Sequence, residues 1–235
     1  MKYKWLLFDA DDTLFDYNKA EFVALRKTFE EKGLHCSDSC HMHYRNINFG
    51  LFKKLEKGLI SSTDLRTKRF ELLFQEFGIQ LSVKDFSQKY LYNLANNSML
   101  LDGVLKVIST LSPFYKMLLV TNGIADVQRP RLEKSEIIKY FEGIIISEEV
   151  GVAKPAAEFF DIAFNKMGHP PKKDVIIIGD SLTSDMAGGI NYGIDTCWYN
   201  RNKIKNENDL NITYEIYELC TLLKIADCTQ PDHLQ

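Results

Sequence analysis

Trp5-Leu-Leu-Phe-Asp-Ala-Asp-Asp-Thr13 is an apolar run of strand length stopped at once by Asp9, Asp11 and Asp12. The run has no polar alternation, so it reads as a strand buried on both faces, as in a parallel sheet. Runs of the same kind recur at residues 116–120, 143–146 and 174–178, with a weaker one at 196–199. Between the later runs lie helix-length amphipathic stretches at 103–111, 127–139, 156–167 and 185–192. This alternation predicts an α/β fold built on a doubly wound parallel sheet.

The first run breaks the rhythm. From Asp16 to about residue 102 the β-α alternation is suspended, and residues 18–96 read as helices. Residues 18–32 close on Gly33. Residues 63–77 are led by Ser61 and Ser62 and end at Gly78, the usual place for a left-handed cap. Leu65, Phe70, Leu72, Leu73, Phe74 and Phe77 give that helix too broad an apolar face to stand alone, and its aromatics read as core rather than as a base-stacking surface. Ser82 with Asp85 three residues on resembles a capping box opening another helix. The expected organisation is a catalytic core of residues 1–16 and 99–235, with a helical bundle of residues 17–98 inserted as a cap.

Composition narrows the function. The chain has 235 residues, 45% hydrophobic and 26% charged, which fits a packed globular protein. Lys and Arg number 29 against 32 Asp and Glu, a net charge of −3, so no general positive field gathers a nucleic-acid polymer or an anionic membrane. The apolar runs are too short for a membrane span or a secretory leader. Five cysteines, Cys36, Cys40, Cys197, Cys220 and Cys228, form no CxxC pair and suit reduced thiols in the cytoplasm. His35, Cys36, Cys40, His41 and His43 lack the second distant ligand pair of a structural zinc site. Arg201, Lys203 and Lys205 read as a solvated loop.

In an open parallel sheet, ligands sit beyond the carboxyl ends of the strands. The residues that follow the apolar runs are Asp9, Asp11, Asp12 and Thr13; Thr121, Asn122 and Gly123; Lys154-Pro155; and Gly179-Asp180-Ser181, then Asp185. Carboxylates converging from different strands repel one another unless a cation neutralises them, and hard oxygen donors point to Mg²⁺. Asp12 reads as a surface carboxylate or loop cap.

Leu7-Phe-Asp-Ala-Asp-Asp-Thr-Leu14 with Thr121-Asn122, Lys154-Pro155 and Gly179-Asp180-Ser181-x-x-x-Asp185 resembles the haloacid dehalogenase superfamily at its four hallmark positions. The resemblance implies a Rossmann-like core carrying a helical cap. It implies Asp9 as a carboxylate nucleophile that forms an aspartyl phosphate, and Asp11 as the general acid and base. Thr121 and Lys154 would hold the phosphoryl oxygens, with Asn122 beside them among the substrate-binding groups. Asp9, the backbone carbonyl of Asp11 and Asp180 would hold Mg²⁺, with support from Asp185. Dehalogenating members lack an Asp at the position of Asp11, so its presence implies phosphoryl transfer.

The segments Tyr44-Arg-Asn-Ile-Asn48, Leu51-Phe-Lys-Lys-Leu-Glu-Lys-Gly58, Arg69-Phe70 and Gly188-Gly-Ile-Asn-Tyr-Gly-Ile-Asp-Thr-Cys-Trp198 resemble the branch that hydrolyses pyrimidine 5′-nucleotides, noncanonical ones included. Phe52 stands where that branch is expected to carry Trp. The implied partner is a small phosphate ester, with Asn48 and Phe52 as substrate-binding residues and Tyr17, Asn46 and Arg69 near them. Two alternatives stay open at this point: a sugar or small-acid phosphatase or phosphomutase on the same core, and a phosphoreceiver without turnover. In a receiver, however, the Lys-Pro motif comes last, whereas here Gly179-Asp180-Ser181 follows Lys154.

Overall fold

The computed structural model describes residues 2–207 and 209–226; Cys228 lies outside the described residues. Along the chain the elements are β1 (Trp5–Phe8), α1 (Tyr17–Glu31), α2 (Asp38–Glu56), α3 (Ser62–Phe77), α4 (Val83–Ala95), α5 (Val104–Leu111) and β2 (Lys116–Thr121). They continue with α6 (Ala125–Glu133), β3 (Gly143–Ile146), α7 (Ser147–Val150), α8 (Ala157–Lys166), β4 (Val175–Gly179), α9 (Ala187–Tyr192), β5 (Asp195–Tyr199), β6 (Tyr214–Ile216) and α10 (Leu222–Ile225). No helix among the described residues is long and apolar enough to cross a membrane.

The chain divides into two compact units. Of the described residues, the first holds those up to Asp16, Leu100–Gly123 and those from Lys134 onward. Its six strands form one sheet in the order β3-β2-β1-β4-β5-β6, every neighbouring pair parallel. The predicted doubly wound sheet is therefore present. Leu7, Leu118, Val120, Val175 and Ile177 bury one face of it against Phe159, Phe160 and Phe164 of α8. The strand order reverses between β1 and β4, where successive connections leave for opposite edges, the switch point at which open α/β sheets take their ligands.

The second unit comprises Tyr17–Met99 and Ile124–Glu133, all helical where regular. Its α3 begins at a capping box, Ser61 and Asp64 each bonding the other's backbone, and ends at Gly78 with φ +64°. Ser82 caps α4 by accepting from the Asp85 amide at 3.3 Å. The core gathers Leu25, Phe29, Tyr44, Phe70, Phe86 and Tyr90, with Phe70 stacked on Tyr44 and edge-on to Phe86 and Tyr90.

The elements differ from expectation in three places, and a fourth, α2, was expected as helix without bounds of its own. A helix over 127–139 was expected against the sheet; α6 instead ends at Glu133, and Ile124 and Val127 join the helical core. The helix expected over 185–192 is split into a π-turn at Leu182–Met186 and α9. The longest helix, α2, had no clear apolar signature: its buried residues are Cys40, Tyr44, Asn48 and Leu51, two of them weakly apolar or polar. Strand β6, three residues long, is too short to carry a pattern.

Candidate active site

Parallel pairing aligns Phe8 of β1 with Leu119 of β2 and with Ile178 of β4. One residue further, Asp9 and Gly179 therefore leave adjacent strands at the same level, and neighbouring strands stand only about 4.8 Å apart. After Asp9 the chain makes a tight turn: the Leu14 and Phe15 amides donate to the Ala10 carbonyl at 2.9 Å, and the Asp12 amide donates to the Phe15 carbonyl at 2.8 Å. Asp12 takes φ +56° there, a conformation tolerated by Asp, and stands 3.7 Å from Arg201.

Lys154 lies at the centre of this edge with 1% of its surface exposed. Its ammonium donates to Asp9 Oδ1 and Asp185 Oδ1, both at 2.6 Å, and to the Val120 carbonyl at 2.9 Å. All three N–H groups of the ammonium are thereby used. Burial opposes the charged form of Lys154, but Asp185 and Asp9 outweigh it and hold its pKa above the usual lysine value. Burial pushes the Asp9 carboxyl up to about 7, the Lys154 charge pulling it back down and the Asp185 charge adding to the rise. Burial, then the charges of Asp9 and Asp185, raise Asp180 well above the carboxylate range.

Asp185 is carried by the π-turn after β4 and accepts from the Ser181 amide through Oδ2 at 3.1 Å. A Cβ at Gly179 would stand 2.2 Å from that same oxygen, so only glycine at the strand end lets Asp185 approach. The Asp180 carbonyl accepts from the indole N–H of the buried Trp198 at 2.8 Å. Oxygens of Asp9, Asp180 and Asp185 lie within 4.8 Å of one another. With all three ionised, one ammonium leaves two negative charges in a buried place. That deficit and the all-oxygen donor set fit a hard divalent cation. The Asp11 carboxylate is not part of the trio.

Thr121, 1% exposed at the end of β2, accepts the Gly123 amide on its hydroxyl at 3.1 Å. The Asn122 carboxamide, expected among the substrate-binding groups, is occupied by the Lys154 peptide.

In the helical unit, the Asn48 amide donates to Glu21 at 3.1 Å and to the Tyr17 hydroxyl at 3.3 Å, while Arg69 donates to Asn48 Oδ1 at 3.3 Å. Asn46 is exposed and Phe52 half-buried against the core. Sequence reasoning missed Glu21 and the role of Trp198. Glu21 was visible as a charge on the same face of α1 as the buried Ala20, Ala24, Leu25 and Thr28. Cys36 and Cys40 are core residues of this unit.

Comparison with known proteins gives the chain its relatives. The chain is 37% identical to pyrimidine 5′-nucleotidase PynA of Streptococcus pneumoniae, over 97% of this chain and 96% of the relative. It is 31% identical to pyrimidine 5′-nucleotidase YjjG of Escherichia coli, over 93% and 96%. It is 36% identical to YfnB of Bacillus subtilis, which bears a HAD-hydrolase name, over 96% of each chain. The crystal structure of YfnB bound to magnesium, described as revealing interdomain movement, superimposes with a TM-score of 0.90, covering 96% of this chain and 99% of that one. Residues 6–199 match the family described as haloacid dehalogenase-like hydrolase, and the chain belongs to that family.

Proposed function

We propose that this chain is a Mg²⁺-dependent phosphomonoesterase of the cytoplasm that hydrolyses pyrimidine nucleoside 5′-monophosphates through an aspartyl phosphate on Asp9. One observation carries the chemistry: the buried Asp9 carboxylate lies at a strand end beside Lys154 and within reach of Asp180 and Asp185. The nucleotide preference is supported by the names of the relatives PynA and YjjG. A nucleic-acid polymer and a membrane have no part in this reading.

Asp9, Asp180 and the Asp11 carbonyl would hold Mg²⁺, with Asp185 in support. The ion supplies charge neutralisation for the carboxylates and for the phosphoryl oxygens. A carboxylate oxygen of Asp9 attacks phosphorus while the bond to the nucleoside 5′-oxygen breaks. Asp11, protonated, gives its proton to that leaving oxygen. As a carboxylate it then takes a proton from the water that attacks the same phosphorus, freeing phosphate and restoring Asp9. The Thr121 hydroxyl and the Lys154 ammonium orient the phosphoryl oxygens, which requires Lys154 to re-aim one of its three N–H groups. Asn48 and Phe52 of the helical unit select the nucleoside.

Phosphate release from dUMP, UMP, dTMP, glucose 6-phosphate and phosphoglycolate, with Mg²⁺ and with EDTA, tests the reading. We expect many turnovers, the highest kcat/KM on the nucleotides and no release in EDTA. A preference for the sugar or acid esters would overturn the substrate assignment. A stable phosphoprotein without turnover would overturn the enzyme.

A further inference from the structure

We infer that Asn122 is a positioning residue for phosphoryl transfer, acting through the backbone of Lys154; this rests on the phosphatase reading above. The Asn122 amide donates to the Lys154 carbonyl at 2.8 Å, and its carbonyl oxygen accepts the Lys154 amide N–H at 2.9 Å. Both polar groups of one residue are held by both ends of a single side chain 32 positions away.

Position explains why the clasp matters. Lys154 lies past β3 and α7, in a loop entered through Gly151 at φ +75°. Strand pairing between β2 and β3 ends at Thr121 and Ile146, so no ladder fixes the backbone at Lys154. Its side chain has four rotatable carbons' worth of freedom, yet its ammonium must stand between Asp9 and Asp185. Fixing the peptide at one end and the ammonium at the other removes that freedom. The chemistry of the clasp is narrow. It needs a donor and an acceptor side by side at the reach of one methylene, which Asn offers, whereas Asp lacks the donor and Ser the length. The ammonium acts on the phosphoryl group, common to every ester, so a misplaced Lys154 slows all substrates alike.

The test compares Asn122→Ala, Lys154→Ala and the double variant on dUMP and p-nitrophenyl phosphate with Mg²⁺. Misplacement of a catalytic group by about 1 Å costs on the order of a hundredfold, so Asn122→Ala should lower kcat/KM ten- to hundredfold on both esters and weaken inhibition by inorganic phosphate. In the Lys154→Ala background the same change should cost less than twofold, because the group it positions is gone. Equal losses in both backgrounds, or full activity of Asn122→Ala, would overturn the inference. Should Lys154→Ala fail to fold by circular dichroism, the decision rests on inhibition by phosphate. Unchanged inhibition in a folded Asn122→Ala protein overturns the inference, and weakened inhibition with equal loss on both esters upholds it. Wild-type turnover of p-nitrophenyl phosphate tests the phosphatase reading separately.

Discussion

The two units bury polar groups in opposite states of need. At the sheet edge, the buried Lys154 ammonium has its hydrogen bonds met but the charge around it is not balanced: Lys154 uses every N–H, yet Asp9, Asp180 and Asp185 share one cation. In the helical unit the reverse holds. Arg69 is 1% exposed, with its guanidinium 5.2 Å from the Phe70 ring and 4.9 Å from that of Tyr90. Its Nε and Nη2, the Tyr44 and Tyr90 hydroxyls and Glu21 Oε1 have no hydrogen-bond partner, although His41 and Arg45 stand 3.7 and 3.8 Å from Glu21. An unmet buried hydrogen bond costs about 1–3 kcal/mol. The first arrangement lacks a cation, whereas the second lacks donors and acceptors.

The sharpest way to break the contrast is Asp9→Asn. An amide neither attacks phosphorus nor balances a cation, so turnover should fall by about 10⁴-fold or more with the fold intact. Stability should move the other way in EDTA. Asp9 is raised from 3.8 to about 7 in the folded protein, so its favourable contribution is complete below about pH 4 and is lost as pH rises through about 7. The metal-free wild type should therefore melt progressively lower from pH 5 to 8. Asp9→Asn should melt higher at pH 8 and show a shallower slope. A lower melting temperature in the variant would show that charge is not what the sheet edge lacks.

Asp11→Asn separates acid–base work from charge balance. Loss of general acid catalysis should cost about 10²–10⁴-fold on dUMP. On p-nitrophenyl phosphate, whose leaving phenolate scarcely needs a proton, the loss should be much smaller. Equal losses would make Asp11 structural. Gly179→Ala tests the packing beneath the trio. Its methyl would collide with Asp185, which is held by Ser181 and Lys154, so kcat/KM should fall about tenfold to a hundredfold. The strain should lower stability by about 1–3 kcal/mol, and calorimetry together with Mg²⁺ titration would record both effects. Unchanged Mg²⁺ affinity would show that Asp185 can yield.

The sheet was legible because its strands are uninterrupted aliphatic runs and its ligand edge follows them by rule: Asp9, Thr121, Lys154 and Asp180 each stand just past an apolar run or its following loop. Less legible was whatever depends on pairing across distance. Asn122 has the composition of a phosphate-loop residue, and nothing near it in sequence names Lys154 as its partner. Trp198 reads as a strand residue, since its bond to Asp180 exists only once β5 lies beside β4. In the helical unit, α2 falls inside the stretch read as helical, but its bounds were not legible because its inward positions include Cys40 and Asn48 instead of aliphatics, which weakens the periodicity that marks a helix.

The smallest effect probes that interior polarity. If Asn48 and Phe52 select the nucleoside, Asn48→Ala and Phe52→Ala remove contacts remote from phosphorus. They should raise KM for dUMP about tenfold while leaving p-nitrophenyl phosphate within twofold, the signature of lost uniform binding. Asn48 is the more exacting case, because its carboxamide links Glu21, Tyr17 and Arg69. Its removal also takes from Glu21 Oε2 its Asn48 donor and lowers stability by about 1–3 kcal/mol. Phe52 is half-buried at the edge of the core, so its truncation should cost less in stability for a similar rise in KM. A variant that loses stability with no change in KM for dUMP would make these residues scaffold. Parallel losses on both esters would mean that the helical unit acts on the phosphoryl step and not on the choice of alcohol.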